Sequence, residues 1–264
     1  MKFTKMQGLG NDYVYVNCFE ETVDSPQLLA KALSDRHFGI GADGLILICP
    51  SKKAGCRMEM YNADGSRGAM CGNGIRCVAK YAYEAGLVKG EEMTVETDSG
   101  IRHVKCRPEN GKVRLVEVDM GIPVVGEREA FLWEGKELFF TPVDMGNPHA
   151  VFFGHLSELP AVSCFGPAVE KSPRFPEGVN VEVIQVESAE ALSMRVWERG
   201  TGETMACGTG ACAAFAAAKT LGFTGDTGVV KLLGGDLEIA WPGTGEPLVM
   251  TGPAVEVFRG EIIL

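Results

Sequence analysis

Asn62-Ala-Asp-Gly-Ser-Arg-Gly-Ala-Met-Cys71-Gly-Asn-Gly-Ile-Arg76 decides the fold, because a second stretch has the same layout. Glu198-Arg-Gly-Thr-Gly-Glu-Thr-Met-Ala-Cys207-Gly-Thr-Gly-Ala-Cys212 again sets a cysteine before a Gly-x-Gly turn and a helix-like run. The two cysteines lie 136 positions apart (207 − 71), and other residues keep that offset without a gap. Gly72 falls on Gly208, Gly74 on Gly210, Gly10-Asn11 on Gly146-Asn147, Met58 on Met194, Tyr61 on Trp197 and Asn62 on Glu198. The strand-like segment 95–104 falls on 231–240. The chain therefore reads as two copies of one fold, each presenting a cysteine, and a repeat of this kind sets the architecture.

Working outward, residues 1–19 alternate and are aromatic or β-branched at Tyr13 to Val16, which predicts two strands around the Gly8–Asp12 turn. Ser25-Pro26 opens a helix to about Ser34, with Ser as cap and Pro at the first position. Segments 45–49 and 58–61 read as strands, 75–85 as a helix, and 92–98, 101–107 and 112–119 as an antiparallel meander. Gly121-Ile122-Pro123 begins a crossover. Strands near 150–153, 179–186 and 192–198 follow, then a helix over 208–221 and strands near 228–232, 236–241 and 247–251. The tail 254–264 is strand-like, and pattern alone does not assign it to a copy.

A chain of 264 residues with 45% hydrophobic and 23% charged side chains suits a soluble globular protein with a sizeable core. Its net charge of −10 argues against a nucleic-acid partner, whose binders show a basic face. The start lacks the apolar stretch of a signal peptide, and no run approaches a membrane span of about 18 residues. With nine cysteines, an odd number, the expected setting is the reducing cytoplasm. No Cys-x-x-Cys pair occurs and the four histidines do not cluster with cysteines, so no metal site is expected.

A helix start carries unpaired N–H groups and partial positive charge, which attract a carboxylate and lower a thiol's pKa. Two copies facing one ligand would flank it with thiols. One thiolate would remove a Cα proton from an amino acid while the opposite thiol protonates the other face, inverting configuration. That chemistry demands no cofactor. The blander reading of a lone cysteine is a small buried hydrophobe, and it is applied to Cys18, Cys49, Cys56, Cys77, Cys106, Cys164 and Cys212. Met145-Gly-Asn-Pro-His149 also reads as a plain turn, Asn62 and Glu198 as caps or solvated groups, and Arg199 as a surface ion-pair partner.

The chain closely resembles the diaminopimelate epimerase family over nearly its whole length. The resemblance rests on Lys5–Asp12, Asn62–Ser66, Cys71–Arg76, Met145–His149, Arg174–Asn180 and Glu198–Thr204 leading to Cys207–Gly210. It implies a pyridoxal-independent isomerase interconverting LL- and meso-diaminopimelate for lysine and peptidoglycan precursors. It implies an α/β (α+β) fold of two pseudosymmetric domains, each a mixed, mostly antiparallel sheet wrapped around a central helix, with the active site in the cleft between them. The expected domains are 1–119 plus 253–264, the last strand returning to the first domain, and 120–252. By the resemblance Cys71 and Cys207 are the acid–base thiols, assisted by His149 and Glu198 respectively. Gly72, Asn73, Gly208 and Thr209 would hold the reacting end of the substrate, and Asn11, Asn62, Asn147, Asn180, Glu198 and Arg199 would grip it, several at the distal end. The implied partner is the small-molecule substrate; a homodimer is left open.

One departure stands out: some family members carry a substrate-contacting Gln where this chain has Gly44, and a water or another side chain has to cover that contact. A proline or hydroxyproline racemase or epimerase is the nearest alternative enzyme. The phenazine-pathway isomerase resembles this fold but lacks the thiols, and an amino-acid-binding or thiol redox protein is the non-catalytic alternative. The polar residues expected at the distal end favour an acyclic substrate with a second ammonium and carboxylate.

Overall fold

The computed structural model describes residues 1–157 and 159–263. The chain divides into two compact units, Met1–Val118 with Thr251–Leu264, and Asp119–Met250. The architecture is α/β and dominated by sheet, with four helices among the described residues.

In the first unit β1 (Lys2–Gly8) and β2 (Asn11–Asn17) form a hairpin whose turn places Leu9 and Gly10 at positive φ. Helix α1 (Pro26–Ser34) crosses to β3 (Gly44–Cys49), which lies parallel to β2. Strand β4 (Cys56–Asn62) runs antiparallel to β3 and carries the two-residue β5 (Arg67–Gly68). After α2 (Gly72–Glu84), β6 (Glu92–Thr97) joins β4 in parallel, and β7 (Gly100–Glu109) and β8 (Lys112–Asp119) complete a meander.

The second unit adds β9 (Val124–Val125) and β10 (Glu129–Trp133), which pairs with β11 (Lys136–Asp144). From β11, whose residues 138–144 fall on β1 at the 136 offset, it repeats the plan. Strand β12 (Pro148–Phe153), crossover helix α3 (Val162–Glu170) and parallel strand β13 (Asn180–Ser188) lead to β14 (Ala191–Glu198) and the short β15 (Gly202–Glu203). Helix α4 (Gly208–Thr220), β16 (Thr227–Leu232), β17 (Gly235–Ala240) and β18 (Val249–Pro253) follow. The last strand, β19 (Val255–Glu261), pairs antiparallel with β1. Both ends of α1 and α3, and both ends of α2 and α4, are separated by 136 positions.

Each sheet is covered on both faces, which explains its near-continuous apolar strands. In the first unit Val14, Val16, Leu45 and Leu47 pack with Leu29, Ala30 and Leu33 of α1. In the second, Ala150, Phe152, Val181 and Val183 pack with Val162, Phe165 and Val169 of α3. The alternate residues of these strands face the other side, where α2 and α4 lie. Ten of thirteen residues are buried in each of these helices, so both are core elements rather than surface ones.

Three sequence expectations need correction. Ser25 stands at the cap of α1 but its side chain makes no capping bond. The segment 121–145, read as a crossover, holds β9 and the β10–β11 hairpin, turned by Glu134 and Gly135 at φ 47° and 76°. Helix α3 had no predicted counterpart. Phe152 sits edge-on to Phe165 at 4.7 Å and to Phe131 at 6.4 Å, and tilts against Phe140 at 5.4 Å. Phe152→Ala is expected to cost about 3–5 kcal/mol and to lower the unit's thermal midpoint by roughly 10 °C. Calorimetry showing a shift under about 2 °C would contradict this packing.

Candidate active site

The first centre forms at the start of α2. Cys71 is its N-cap, in extended backbone at φ −132° and ψ 120°, and its Sγ accepts the Gly74 N–H at 3.3 Å. Gly74 packs closely on the sheet: a Cβ there would stand 2.7 Å from Ile46 Cδ1 and 3.0 Å from Met58 Cε. The helix start is thereby pressed onto the sheet, beside the ends of β2, β3 and β4. The Cys71 thiol donates to Asn11 Oδ1 at 3.3 Å, and Asn73 Nδ2 donates to the same oxygen at 3.4 Å. Asn11 is held from behind, its Nδ2 donating to Asp43 at 2.8 Å. Asp43 also accepts the Asp12 N–H and an Arg36 guanidinium bond, both at 3.0 Å. Beneath the turn, fully buried Arg76 donates to Asn73 Oδ1 at 2.9 Å, Gly72 O at 3.0 Å and Pro253 O at 3.1 Å.

The second centre repeats the cap with different neighbours. Cys207, at φ −118° and ψ 114°, accepts the Gly210 N–H at 3.4 Å and lies 3.5 Å from Thr209 Oγ1. Asn147 Nδ2 donates to Thr209 Oγ1 at 3.4 Å, and Asn147 Oδ1 lies 3.1 Å from His149 Nε2. The other ring nitrogen, Nδ1, donates to Glu182 Oε1 at 2.7 Å, with both side chains wholly buried. Glu182 Oε2 has no hydrogen-bond partner among the described residues. Glu198 accepts from Thr204 Oγ1 and hydrogen-bonds Cys207. Asn180 Nδ2 donates to Pro148 O at 2.9 Å while its Oδ1 accepts the Arg199 N–H at 3.0 Å.

Each centre thus joins one sulfur, a helix start whose first amides have no partner within the helix, and polar side chains at the edge of a sheet. Such a unit can hold a carboxylate on N–H groups and move a proton at the sulfur. The diaminopimelate epimerase family model matches residues 3–125 and 141–257. The diaminopimelate epimerase of Acetivibrio thermocellus is 50% identical over 277 residues, covering 100% of this chain and 99% of that one. That of Methanococcus maripaludis strain S2 is 47% identical over 276 residues, covering 99% of both. The chain belongs to the diaminopimelate epimerase family. Among solved structures, a Bacillus anthracis phenazine biosynthesis protein matches with a TM-score of 0.79 at 16% identity, covering 100% of this chain and 99% of the other. A probable proline racemase from Agrobacterium radiobacter K84 matches with a TM-score of 0.77 at 17% identity, covering 100% and 93%. At those identities the likeness shows the fold alone.

Within this member of the diaminopimelate epimerase family, the expected site residues fall into two sets. Asn11, Cys71, Gly72 and Asn73 gather in the first unit. Asn147, His149, Glu198, Cys207, Gly208 and Thr209 gather in the second, with Asn180 and Arg199 bonded to each other at its margin. Asn62 lies beside Gly44 in the sheet, but its amide donates to Ser66 Oγ at 2.9 Å within its own turn. The Arg199 guanidinium reaches the Glu177 carbonyl at 3.2 Å. Sequence reasoning missed Glu182 and Asp43, which fix His149 and Asn11; a lone carboxylate in Val181-Glu182-Val183 was the available signal. No helix is long and apolar enough to cross a membrane, and no metal-ligating cluster occurs among the described residues.

The other cysteines divide. Burial pushes Cys56 and Cys77 up to about 11 and Cys106 up to about 12, as suits packing groups. Cys164 is exposed, contrary to the packing reading, and half-buried Cys18 and Cys49 hydrogen-bond each other. A larger correction concerns Cys207, where the helix field was expected to lower the thiol pKa. Burial pushes it well up instead, reinforced by the negative charges of Glu198 and Glu182, and the Thr209 and Gly210 bonds do not offset this. Burial also raises Glu198. The proton therefore rests on Cys207 at neutral pH. Glu198→Gln removes one repelling charge and is expected to move the pH midpoint of Cys207 alkylation downward. Mass-mapped alkylation showing an unchanged or higher midpoint would contradict this electrostatic account.

Proposed function

We propose that this chain is a diaminopimelate epimerase that inverts one α-carbon of 2,6-diaminopimelate with two cysteines and no cofactor. The observation that carries the reading is the duplicated Cys-Gly-x-Gly helix start, with each sulfur capping its helix. Full-length likeness to diaminopimelate epimerases at 50% identity supports the choice of substrate.

In this reading the substrate α-carboxylate takes the N–H groups of the two helix starts, from Gly72, Asn73, Gly208 and Thr209. Cys71 and Cys207 address opposite faces of the same carbon. The thiolate takes the Cα proton, leaving the electron pair on the carbon as a carbanion delocalised into the carboxylate. The opposing thiol then delivers its proton, and inversion follows. Amide donors aimed at the carboxylate stabilise the charge that develops there. Cys207 starts as the acid when Cys71 is the base, because burial and its two carboxylate neighbours keep its proton on. The roles exchange in the reverse direction. Glu198 serves Cys207, which it hydrogen-bonds. His149, which the family resemblance pairs with Cys71, has both ring nitrogens bonded in the second unit, to Glu182 and Asn147, so it has to leave the Asn147 contact to reach Cys71. Asn11, Asn62, Asn147, Asn180, Glu198 and Arg199 contact the substrate, with the guanidinium suited to the distal carboxylate and Asn and Glu oxygens to the distal ammonium. Two working thiols suit the reducing cytoplasm.

Cys71→Ala and Cys207→Ala are each expected to lower epimerisation of LL-diaminopimelate by roughly 10²–10⁴-fold, the usual contribution of a positioned acid or base. Polarimetry or a coupled assay checks this. Either variant turning over at near the normal rate would remove the two-thiol mechanism.

A further inference from the structure

We propose that Glu182 and His149 are positioning residues for Cys207: they set the direction of a hydrogen-bond chain through Asn147 and Thr209 that ends with the Thr209 hydroxyl donating to the sulfur. The proposal rests on the reading of Cys207 as an acid–base group. Glu182 is a charge where the fold needs none. Val181 and Val183 of β13 pack toward α3, so Glu182 between them points to the other face, where α4 lies. A Cβ at Gly210 would stand 2.7 Å from Glu182 Oε1 and 3.3 Å from Cys207 Sγ, so the carboxylate is pressed against the turn that holds the sulfur. At the 136 offset Glu182 falls on Ile46, and Ile46 packs on Gly74 in the same way, its Cδ1 2.7 Å from the place of a Cβ. An apolar side chain therefore fills this position in the first copy. In the second it holds a wholly buried carboxylate whose Oε2 has no hydrogen-bond partner among the described residues. Burying such a group costs stability that an isoleucine would not cost.

The contacts that lead away from Glu182 run in one sense. A carboxylate only accepts, so His149 Nδ1 carries the hydrogen of the 2.7 Å bond. The other ring nitrogen, Nε2, faces Asn147 Oδ1 at 3.1 Å. An amide oxygen also only accepts, so Nε2 carries a hydrogen too, and the doubly protonated ring is paired with the carboxylate. With its oxygen taken, Asn147 turns its Nδ2 to Thr209 Oγ1 at 3.4 Å. Thr209 Oγ1 accepts there, and its one hydrogen is left for Cys207 Sγ, 3.5 Å away.

The first copy turns the equivalent amide the other way. Asn11 gives its Nδ2 to Asp43 at 2.8 Å, and its Oδ1 accepts the Cys71 thiol at 3.3 Å. An acceptor behind Asn11 sends the amide oxygen toward the sulfur; a donor behind Asn147 sends the amide nitrogen. When Cys207 gives up its proton, the Thr209 hydroxyl and the Gly210 N–H both donate to the thiolate, and no group has to turn.

The test is a cycle of two substitutions. Alkylation of Cys207 by iodoacetamide, located by peptide mass, is followed against pH, with exposed Cys164 as internal standard. Glu198, the other carboxylate whose charge bears on this sulfur, is kept in every variant. Thr209→Val deletes the hydroxyl. Loss of a donor to the thiolate is expected to slow Cys207 alkylation at neutral pH about tenfold and to move its midpoint up. Thr209→Ser keeps a hydroxyl and should keep the wild-type profile. Glu182→Gln removes the counter-charge of His149, so Nε2 loses its hydrogen, Asn147 turns to donate to it, and Thr209 donates to Asn147 instead of to sulfur. Adding Thr209→Val to Glu182→Gln should then leave the midpoint where Glu182→Gln put it. The comparison within each background cancels the direct effect of the lost charge. A midpoint that stays or falls in Thr209→Val, or that rises equally in both backgrounds, overturns the proposal. A wild-type protein that does not epimerise diaminopimelate would defeat the functional reading, while the alkylation cycle would still decide the direction of the chain.

Discussion

A sulfur that caps a helix is the contact on which this molecule's chemistry depends. In each unit a cysteine in extended backbone accepts the amide hydrogen three residues ahead, at 3.3 Å for Cys71 and 3.4 Å for Cys207. The bond fixes the sulfur against the first turn, where the remaining N–H groups have no partner within the helix. The glycine that supplies the amide is also the one pressed onto the sheet: a Cβ at 74 would meet Ile46, and one at 210 would stand 2.7 Å from Glu182 Oε1. A thiol and the first amides of a helix thus share one turn, held in place by the core.

The two centres share a backbone and differ in charge. Around Cys71 stand the Asn11 side chain and the Gly74 N–H, with Asp43 one step back behind Asn11. Around Cys207 they are Glu198 and Glu182, the latter bonded to His149. Duplication supplied equivalent positions, and side-chain divergence put carboxylates beside one sulfur, where burial and their charge push the Cys207 thiol up, and an amide oxygen beside the other.

Much of this was legible in the residues. A single offset linked Cys-Gly-x-Gly to Cys-Gly-x-Gly, and the ends of α2 and α4 obey it. Short strands near the caps were readable because both faces are apolar. Helix α3 was hidden by Pro167 inside it and by the lack of a capping side chain at Ala161, although the offset applied to α1 lands on it. Strand β10 falls in 126–140, which the family model does not match, and at the 136 offset it lies before Met1. Side-chain electrostatics were the least legible. Nothing local to Cys207 announces Glu182, twenty-five positions earlier.

The central claim is that a proton leaves one face of the α-carbon and a different proton arrives on the other. Incubating the purified protein with LL-diaminopimelate in D2O, without added cofactor, and following the α-hydrogens by NMR at early times tests it directly. The account predicts deuterium at the inverted carbon of the meso product while recovered LL substrate stays largely unlabelled, since each face has its own sulfur. Meso product that keeps its original α-hydrogen, or binding without any exchange, would contradict it.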